Sequence, residues 1–533
     1  MRGVWSATLL FGLTALVLIV LRPLLPVDET RYLAAAWEMR IGGSPLVPHL
    51  NGALYGHKPP LLFWLINLVW AATGVAEFPA RLVGPAFAVL SVLLTGLLAR
   101  RMWPDRPARA GAAALILAVS PVWLLYGSTT MFDAMLTCAT LLAMLALWSA
   151  ARNPRPAAWC ALGAAIAFGV YAKGPVILLH VMPAGLAMPL WAGAVRGRDI
   201  GAPEDAMAGS GMARRGLPMA RGLGLALLVA LILIGLWLVP ALILGGPEYR
   251  TEILWRQSGG RMVSSFAHQK PWWFFLALLP VMLWPFGWTG RGLGTLRPRG
   301  LWDDPAARMT AIWFVVALLA FSAISGKQAH YLLPEMPALA LLLSRALPER
   351  AWRRRDLWLA LPVLAALAWL VAAATGRLPA LSRVVDPMPL WSLALGAGCL
   401  LVGIAAFLRL RAAPVALAAL PLSLVIGLHL ALGPMMFARL DVTALGRAVA
   451  SHDAAGIAIT DGNYHAQLNF AGRLRHPVVR LSEPDQIEAW RRAHPDGILL
   501  DRSGHTPPGM NAIARLPYRS GFYTLSRPEG AVE

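Results

Sequence analysis

Residues 7–32, ATLLFGLTALVLIVLRPLLPVDETRY, set an apolar run directly against a cluster of charge. Ala7–Leu25 is long enough to cross a hydrocarbon core, which takes about 20 helical residues. Arg2 precedes it and no small-residue cleavage site comes before Asp28, so a retained first span is expected rather than a removed leader. Asp28 and Glu29 then stand at the membrane boundary, where adjacent carboxylates are costly unless water or partners solvate them. Such a pair also suits a helix start, where Asp is a favoured cap.

The rest of the chain repeats this pattern. Hydrophobic residues make up 58% of the 533 positions and charged residues 14%, against roughly 25% charged in soluble domains. The fold class expected is an all-α polytopic membrane protein. About thirteen spans are predicted, at 5–25, 81–99, 109–126, 131–150, 157–173, 175–194, 222–245, 271–289, 308–325, 329–347, 357–375, 390–408 and 413–434. The net charge of +20 comes from 47 basic and 27 acidic residues. Its arginines cluster between spans, at Arg100, Arg101, Arg106, Arg152, Arg155, Arg214, Arg215 and Arg353 to Arg355. That is the cytoplasmic excess of multi-pass proteins, not a nucleic-acid footprint, and no nucleic-acid partner is expected. It places the N-terminus in the cytoplasm and the C-terminus on the outer side of the membrane. Cys138, Cys160 and Cys399 all lie in apolar spans, which excludes a disulfide framework or a cysteine metal site.

Two units follow, a membrane domain over 1–434 and a small extracytoplasmic α/β domain over 435–533, where composition turns mixed. In the tail, 455–461, 478–481 and 497–501 read as strands and 485–493 as a helix. The outer loops at 26–80 and 246–270 are long. Within the first, Glu29–Arg40 is a short amphipathic helix, and Leu61–Trp70 is apolar but too short to span, so it belongs in the interface.

The chemistry collects at one level. Asp28, Glu29, Lys58, Asp133, Lys173, Arg261, His268, Lys327 and Tyr331 all fall at the outer boundary of this topology. Lys58 stands before Pro59-Pro60, which stiffen the chain behind a point charge suited to phosphate. Cations for a phosphate and carboxylates for a hydroxyl are what transfer from a phosphate leaving group requires.

Five motifs carry a resemblance. Asp28-Glu29-x-Arg31-Tyr32, Pro48-x-x-Asn51-Gly52-x-x-Tyr55 and Lys58-Pro59-Pro60-Leu61 resemble the first outer loop of the ArnT-like, protein-mannosyltransferase-related glycosyltransferases of the GT-C fold. His268-x-Lys270-Pro271-Trp272-Trp273 and Lys327-x-x-x-Tyr331-x-Leu333-Pro334-x-x-Pro337 resemble later signatures of the same family. The agreement covers roughly residues 1–345. It implies inverting transfer of a sugar from a polyprenyl-phosphate donor to a glycolipid, lipid A-like, or another envelope acceptor. It further implies Asp28 and Asp133 as catalytic residues. Lys58, Arg261, Arg31 and Tyr331 would hold the donor phosphate. Glu29, Tyr32, Tyr55, Lys173, His268 and Lys327 would contact substrate. One departure is His57, where the lipid A aminoarabinose transferases carry Glu before Lys-Pro, and it argues against that particular sugar and acceptor. A divalent metal stays open, with His57 and His268 as candidate ligands.

Two other classes fit the composition. A transporter or flippase of lipid-linked sugars would put ionisable groups near the midplane, and only Glu335 and His180 lie deep here. A scaffold would not gather acids and cations in the first outer loop.

Overall fold

The computed structural model describes residues 1–198, 217–254, 269–346, 354–375, 389–410, 412–502 and 506–529. Among them, nine helices are long and apolar enough to cross a membrane. They include α1 (Arg2–Leu21) and the helices Glu77–Met102, Phe132–Arg152, Pro156–Lys173, Met219–Leu244, Pro305–Ala323, Leu390–Arg409 and Ala413–Met436.

The other four expected spans are interrupted, and each interruption has proline beside it. Residues 109–126 divide into Ala108–Val119 and Pro121–Tyr126. Ile177–Leu186, with Pro183 inside, gives way to Met188–Arg198. Phe274–Leu283 ends just before Pro285, and Ala329–Glu335 is a 3-10 turn carrying Pro334 that leads into Met336–Ser344. A proline lacks the N–H that continues a helix, and freed carbonyls survive at membrane depth only where protein or a cavity covers them.

Helix packing in the bundle uses small residues. A Cβ on Gly396 would lie 2.5 Å from the Cβ of Ala431, and one on Gly403 would lie 1.9 Å from the Ser423 hydroxyl. Leu390–Arg409 and Ala413–Met436 therefore touch backbone to backbone, as expected where hydrocarbon offers no hydrophobic drive between helices.

The first outer loop builds the platform for the site. α2 (Asp28–Ile41) puts both acids in its first turn, where the helix dipole favours them, and ends at Gly42. β1 (His49–Leu50) and β2 (Ala53–Leu54) pair antiparallel around Asn51-Gly52, both at positive φ, the tight hairpin that this dipeptide suits. α3 (Leu61–Thr73) has 13 residues, too few to span. One buried cluster joins Leu33, Tyr55, Phe63, Trp70 and Phe132.

Beyond the last span lies a five-stranded sheet of β3 (Ile457–Ile459), β4 (Val479–Arg480), β5 (Ile498–Asp501), β6 (Met510–Tyr518) and β7 (Gly521–Pro528), in the order β4-β3-β5-β7-β6. β3 runs parallel to β4 and β5, and β6-β7 is an antiparallel hairpin that the sequence reading missed. This sheet seats on the first outer loop. The Asn51 side chain donates to Val478 O at 2.9 Å and accepts from Val478 N–H at 2.8 Å. The Trp37 indole donates to Leu474 O at 2.8 Å, and Trp70 stacks on Phe470 with centroids 5.3 Å apart.

Candidate active site

α2 starts where α1 has just ended, so its first turn is held at the membrane boundary by a rigid element. Asp28 makes no capping bond there. Its Oδ1 instead accepts from Arg31 and, at 3.1 Å, from the Tyr32 hydroxyl. Oδ2 takes no hydrogen bond among the described residues, and the side chain keeps 38% of its surface open. Burial first, and the Asp28 charge second, push the Tyr32 hydroxyl well above its ordinary pKa, so it stays protonated as a donor. One carboxylate oxygen is fixed and the other faces outward.

Glu29 is turned about 100° away by the helix pitch. Its Oε1 accepts from Thr130 N–H at 2.7 Å and its Oε2 from Leu25 N–H at 3.0 Å. Both oxygens serve backbone and the residue is 3% exposed. The expectation of a substrate contact is corrected: Glu29 ties the end of the first span to the turn before Asp133. Gly84 lets that turn come close, since a Cβ there would sit 2.6 Å from Thr129 O.

Asp133 differs equally from a presented catalytic acid. Its Oδ1 accepts from Lys173 Nζ at 2.6 Å, with side-chain exposures of 12% for the lysine and 3% for the aspartate. Lys173 in turn lies over the Tyr331 ring, 4.9 Å from its centroid. The geometry makes Asp133 and Lys173 a buried pair that positions Tyr331. Between this pair and Asp28 stands Phe132. Tyr32 meets it edge-on at 4.8 Å, Phe63 at 5.7 Å, and Lys58 Nζ lies 5.6 Å from its centroid. Arg31, Asp28, Tyr32, Phe132, Asp133, Lys173 and Tyr331 thus form one connected series with Lys58 alongside.

Tyr55 is buried and packs against the His57 ring at 5.5 Å and the Phe63 ring at 6.3 Å. His57 Nε2 is 3.9 Å from Glu252 Oε1, and Gly56 permits that approach, because a Cβ would meet Glu252 Cγ at 2.5 Å. Among the described residues no group of three His, Cys, Asp or Glu could hold a metal. Lys327 needs correction too. Its ammonium donates to Ile324 O and, at 3.0 Å, to Lys270 O, and it is 3% exposed. It caps the end of Pro305–Ala323 and fastens the second outer loop there, rather than facing a substrate. Arg261 and His268 lie outside the described residues.

The sequence reading overlooked three supports. Arg22 donates to Ser128 O at 2.7 Å, and Arg81 donates to Arg22 O at 2.8 Å, joining the outer ends of three spans. His180 Nδ1 and Glu335 Oε1 are 2.5 Å apart and both fully buried, with the His180 ring 5.2 Å from that of Phe321. A lone charge at the end of an apolar span was the available signal for Arg22 and Arg81.

The family model described as dolichyl-phosphate-mannose-protein mannosyltransferase matches residues 57–197. An undecaprenyl phosphate-alpha-4-amino-4-deoxy-L-arabinose arabinosyl transferase of Pseudomonas paraeruginosa is 33% identical over 390 residues, 69% of this chain and 66% of the relative. Its counterpart in Pseudomonas aeruginosa strain UCBPP-PA14 is 32% identical over 389 residues, again 69% and 66%. The match thus spans a little under two thirds of these relatives' own length. The crystal structure of ArnT from Cupriavidus metallidurans bound to undecaprenyl phosphate superposes with a TM-score of 0.71 at 19% identity, covering 100% of this chain and 98% of that one. Its apo form gives 0.72 at 18%, covering 99% and 98%. The order of elements agrees with this result: the chain is a multi-pass membrane protein with the fold of these ArnT structures, and its sequence is similar to the ArnT-like, protein-mannosyltransferase-related transferases.

Proposed function

We propose that the chain transfers a sugar from a polyprenyl-phosphate donor to a glycolipid or other envelope acceptor at the outer face of the inner membrane, with inversion. The observation that carries this reading is the open Oδ2 of Asp28, in a carboxylate whose other oxygen is held by Arg31 and Tyr32. Lys58, half-buried over Phe132, is the described cation best placed to neutralise the donor phosphate. Arg31 and Tyr331 assist from either side, and Arg261 is proposed for the same phosphate from the second outer loop.

Neutralised phosphate leaves readily, so the protein's main task is to stabilise charge on the leaving group. An acceptor hydroxyl on the opposite face of the anomeric carbon gives its proton to Asp28. If the acceptor atom is a phosphate oxygen, Asp28 instead steadies positive charge developing on the sugar ring. The relatives named above carry 4-amino-4-deoxy-L-arabinose in their names, which makes an aminopentose the first donor to try. The C-terminal sheet is proposed to lie in the periplasm.

The test uses purified protein in nanodiscs with a polyprenyl-phosphate aminoarabinose donor and lipid A. Sugar-modified lipid A, with the anomeric configuration inverted, is the product expected if the relatives' sugar is used. No turnover with this pair excludes that sugar and acceptor, as the His57 departure argues. Donor hydrolysis alone, or no transfer from any polyprenyl-phosphate sugar tried, defeats the reading. A reporter active only outside the cytoplasm should work when fused after Glu533 and stay silent near Arg215. The opposite pattern would put Asp28 on the wrong face.

A further inference from the structure

At the far end of the bundle the chain folds around a second basic feature. Pro305–Ala323 runs from this end up to Lys327, and its 19 residues at 1.5 Å each separate the two levels by about 28 Å. A cavity of about 640 Å³ opens here, lined by Arg109, Arg291, Arg297 and Arg345 among glycine-rich turns. Among the described residues the lining holds four guanidinium groups and no carboxylate.

Two of the arginines form a fixed back wall. Arg345 donates to Gly300 O at 2.6 Å and Thr295 O at 3.4 Å, and lies 3.7 Å from Asp304. Asp304 accepts the Trp103 indole N–H at 2.7 Å, and Arg109 lies over that same indole at 5.2 Å. Arg291 and Arg297 stand exposed at the rim, with no carboxylate within ion-pair distance among the described residues. Positive-inside bias accounts for arginines on this face. It does not account for their convergence, because Arg109, Arg291 with Arg297, and Arg345 come from three separate parts of the chain.

Aromatic residues mark the depth. Trp302 is 55% exposed, and Trp288 stacks on the half-exposed Trp358 at 5.4 Å. Tryptophans collect at the headgroup level of a bilayer. The cavity size falls in the usual range for small-molecule sites, and a guanidinium presents two parallel donors to phosphate. Basic pockets between spans at this depth suit anionic headgroups.

We propose that this cavity is a binding site for the phosphate headgroup of an anionic lipid, taken from the leaflet opposite the candidate active site. The lipid lies with its chains along the bundle and its phosphate between the rim and the back wall.

The full-length protein in phosphatidylcholine nanodiscs is titrated with phosphatidylglycerol and followed by native mass spectrometry and thermal melting. One or two phosphatidylglycerol molecules should stay bound and raise Tm. Arg291→Ala with Arg297→Ala should weaken that binding at least ten-fold, whereas Arg221→Ala with Arg409→Ala, the same loss of charge outside the cavity lining, should leave it unchanged. Equal weakening in both pairs would mean general surface attraction and overturn the site, as would no weakening in the first. Inorganic phosphate at the same concentration raising Tm equally would overturn the lipid source. Should the alanine pair fail to fold, Arg291→Lys with Arg297→Lys keeps the charge and loses the fork. Intermediate affinity is expected there, and wild-type affinity would overturn the guanidinium site.

Discussion

The two ends of the membrane bundle handle charge in opposite ways. At the outer end nearly every ion has a named partner: Asp28 with Arg31, Asp133 with Lys173, and Arg81 with Glu77 at 3.1 Å. At the other end four arginines line one open cavity, and Asp304, beside Arg345, is the acid in contact with them. The first arrangement keeps buried charges ordered, since an unpaired ion there costs several kcal/mol. The second leaves Arg291 and Arg297, exposed at the rim, to be met from outside. Balance goes with positioning, and excess goes with recruitment.

The sharpest way to break this contrast is at Asp28. Asp28→Asn keeps the shape but loses the open anionic oxygen, and is expected to lower sugar transfer by more than 100-fold, with donor-lipid binding largely kept. A purified variant with near-normal turnover would return Asp28 to a structural role. Next comes Lys58→Ala, expected to raise the barrier by about 2–4 kcal/mol without loss of folded protein. Normal kcat/KM with the polyprenyl-phosphate donor would rule out the phosphate contact.

The balanced pairs should fail by unfolding instead. Lys173→Met leaves Asp133 buried and alone, and is expected to cost about 3–5 kcal/mol of stability. Lys173→Met with Asp133→Leu should recover much of that loss in a melting experiment, while activity stays low because Tyr331 loses its support. Full activity in a stable double variant would mean that the pair positions nothing. Glu29→Gln should cost about 1–3 kcal/mol, as one of two backbone N–H groups loses its acceptor. Its kcat is expected near wild type in the folded fraction, and a kcat loss matching Asp28→Asn would erase the distinction between the adjacent acids.

The smallest effect belongs to the soluble sheet. Asp461 is half-buried, which by itself favours the neutral form. The Tyr523 hydroxyl, the Asn463 N–H and Arg502 outweigh that and hold it below the usual carboxylate range. A depressed folded pKa contributes stability above the unfolded value and loses it as pH falls through the folded one. Melting of the sheet should therefore weaken below about pH 4, and Asp461→Asn should flatten that dependence. An unchanged acid slope would show that Asp461 does not govern it.

Much of the membrane architecture was legible because apolar length is a local property. Ala7–Leu25 declares a span without reference to any other residue, and Leu61–Trp70 declares its shortness just as directly. What stayed hidden was pairing at a distance. Nothing near Lys327 says that its ammonium will meet Lys270 O, and nothing near Glu335 announces His180, 155 residues earlier. Asp133 was placed at the outer level, but its pairing with Lys173 could not be read, because only packing decides whether a carboxylate faces a cavity or a lysine. The β6-β7 hairpin escaped because its strand Met510–Tyr518 keeps five consecutive residues exposed, so apolar alternation is weak.

The Asn51 clamp bears on the order in which the protein matures. Its partner Val478 is made 427 residues later, which at 5–20 residues per second is a delay of roughly 20–85 s on the ribosome. Until then the loop that carries Asp28, Tyr55 and Lys58 lacks its grip on the sheet, although most of the spans have already entered the bilayer. Assembly of the candidate site is therefore among the last events of biogenesis, and the nascent chain spends its insertion phase with that loop unclamped.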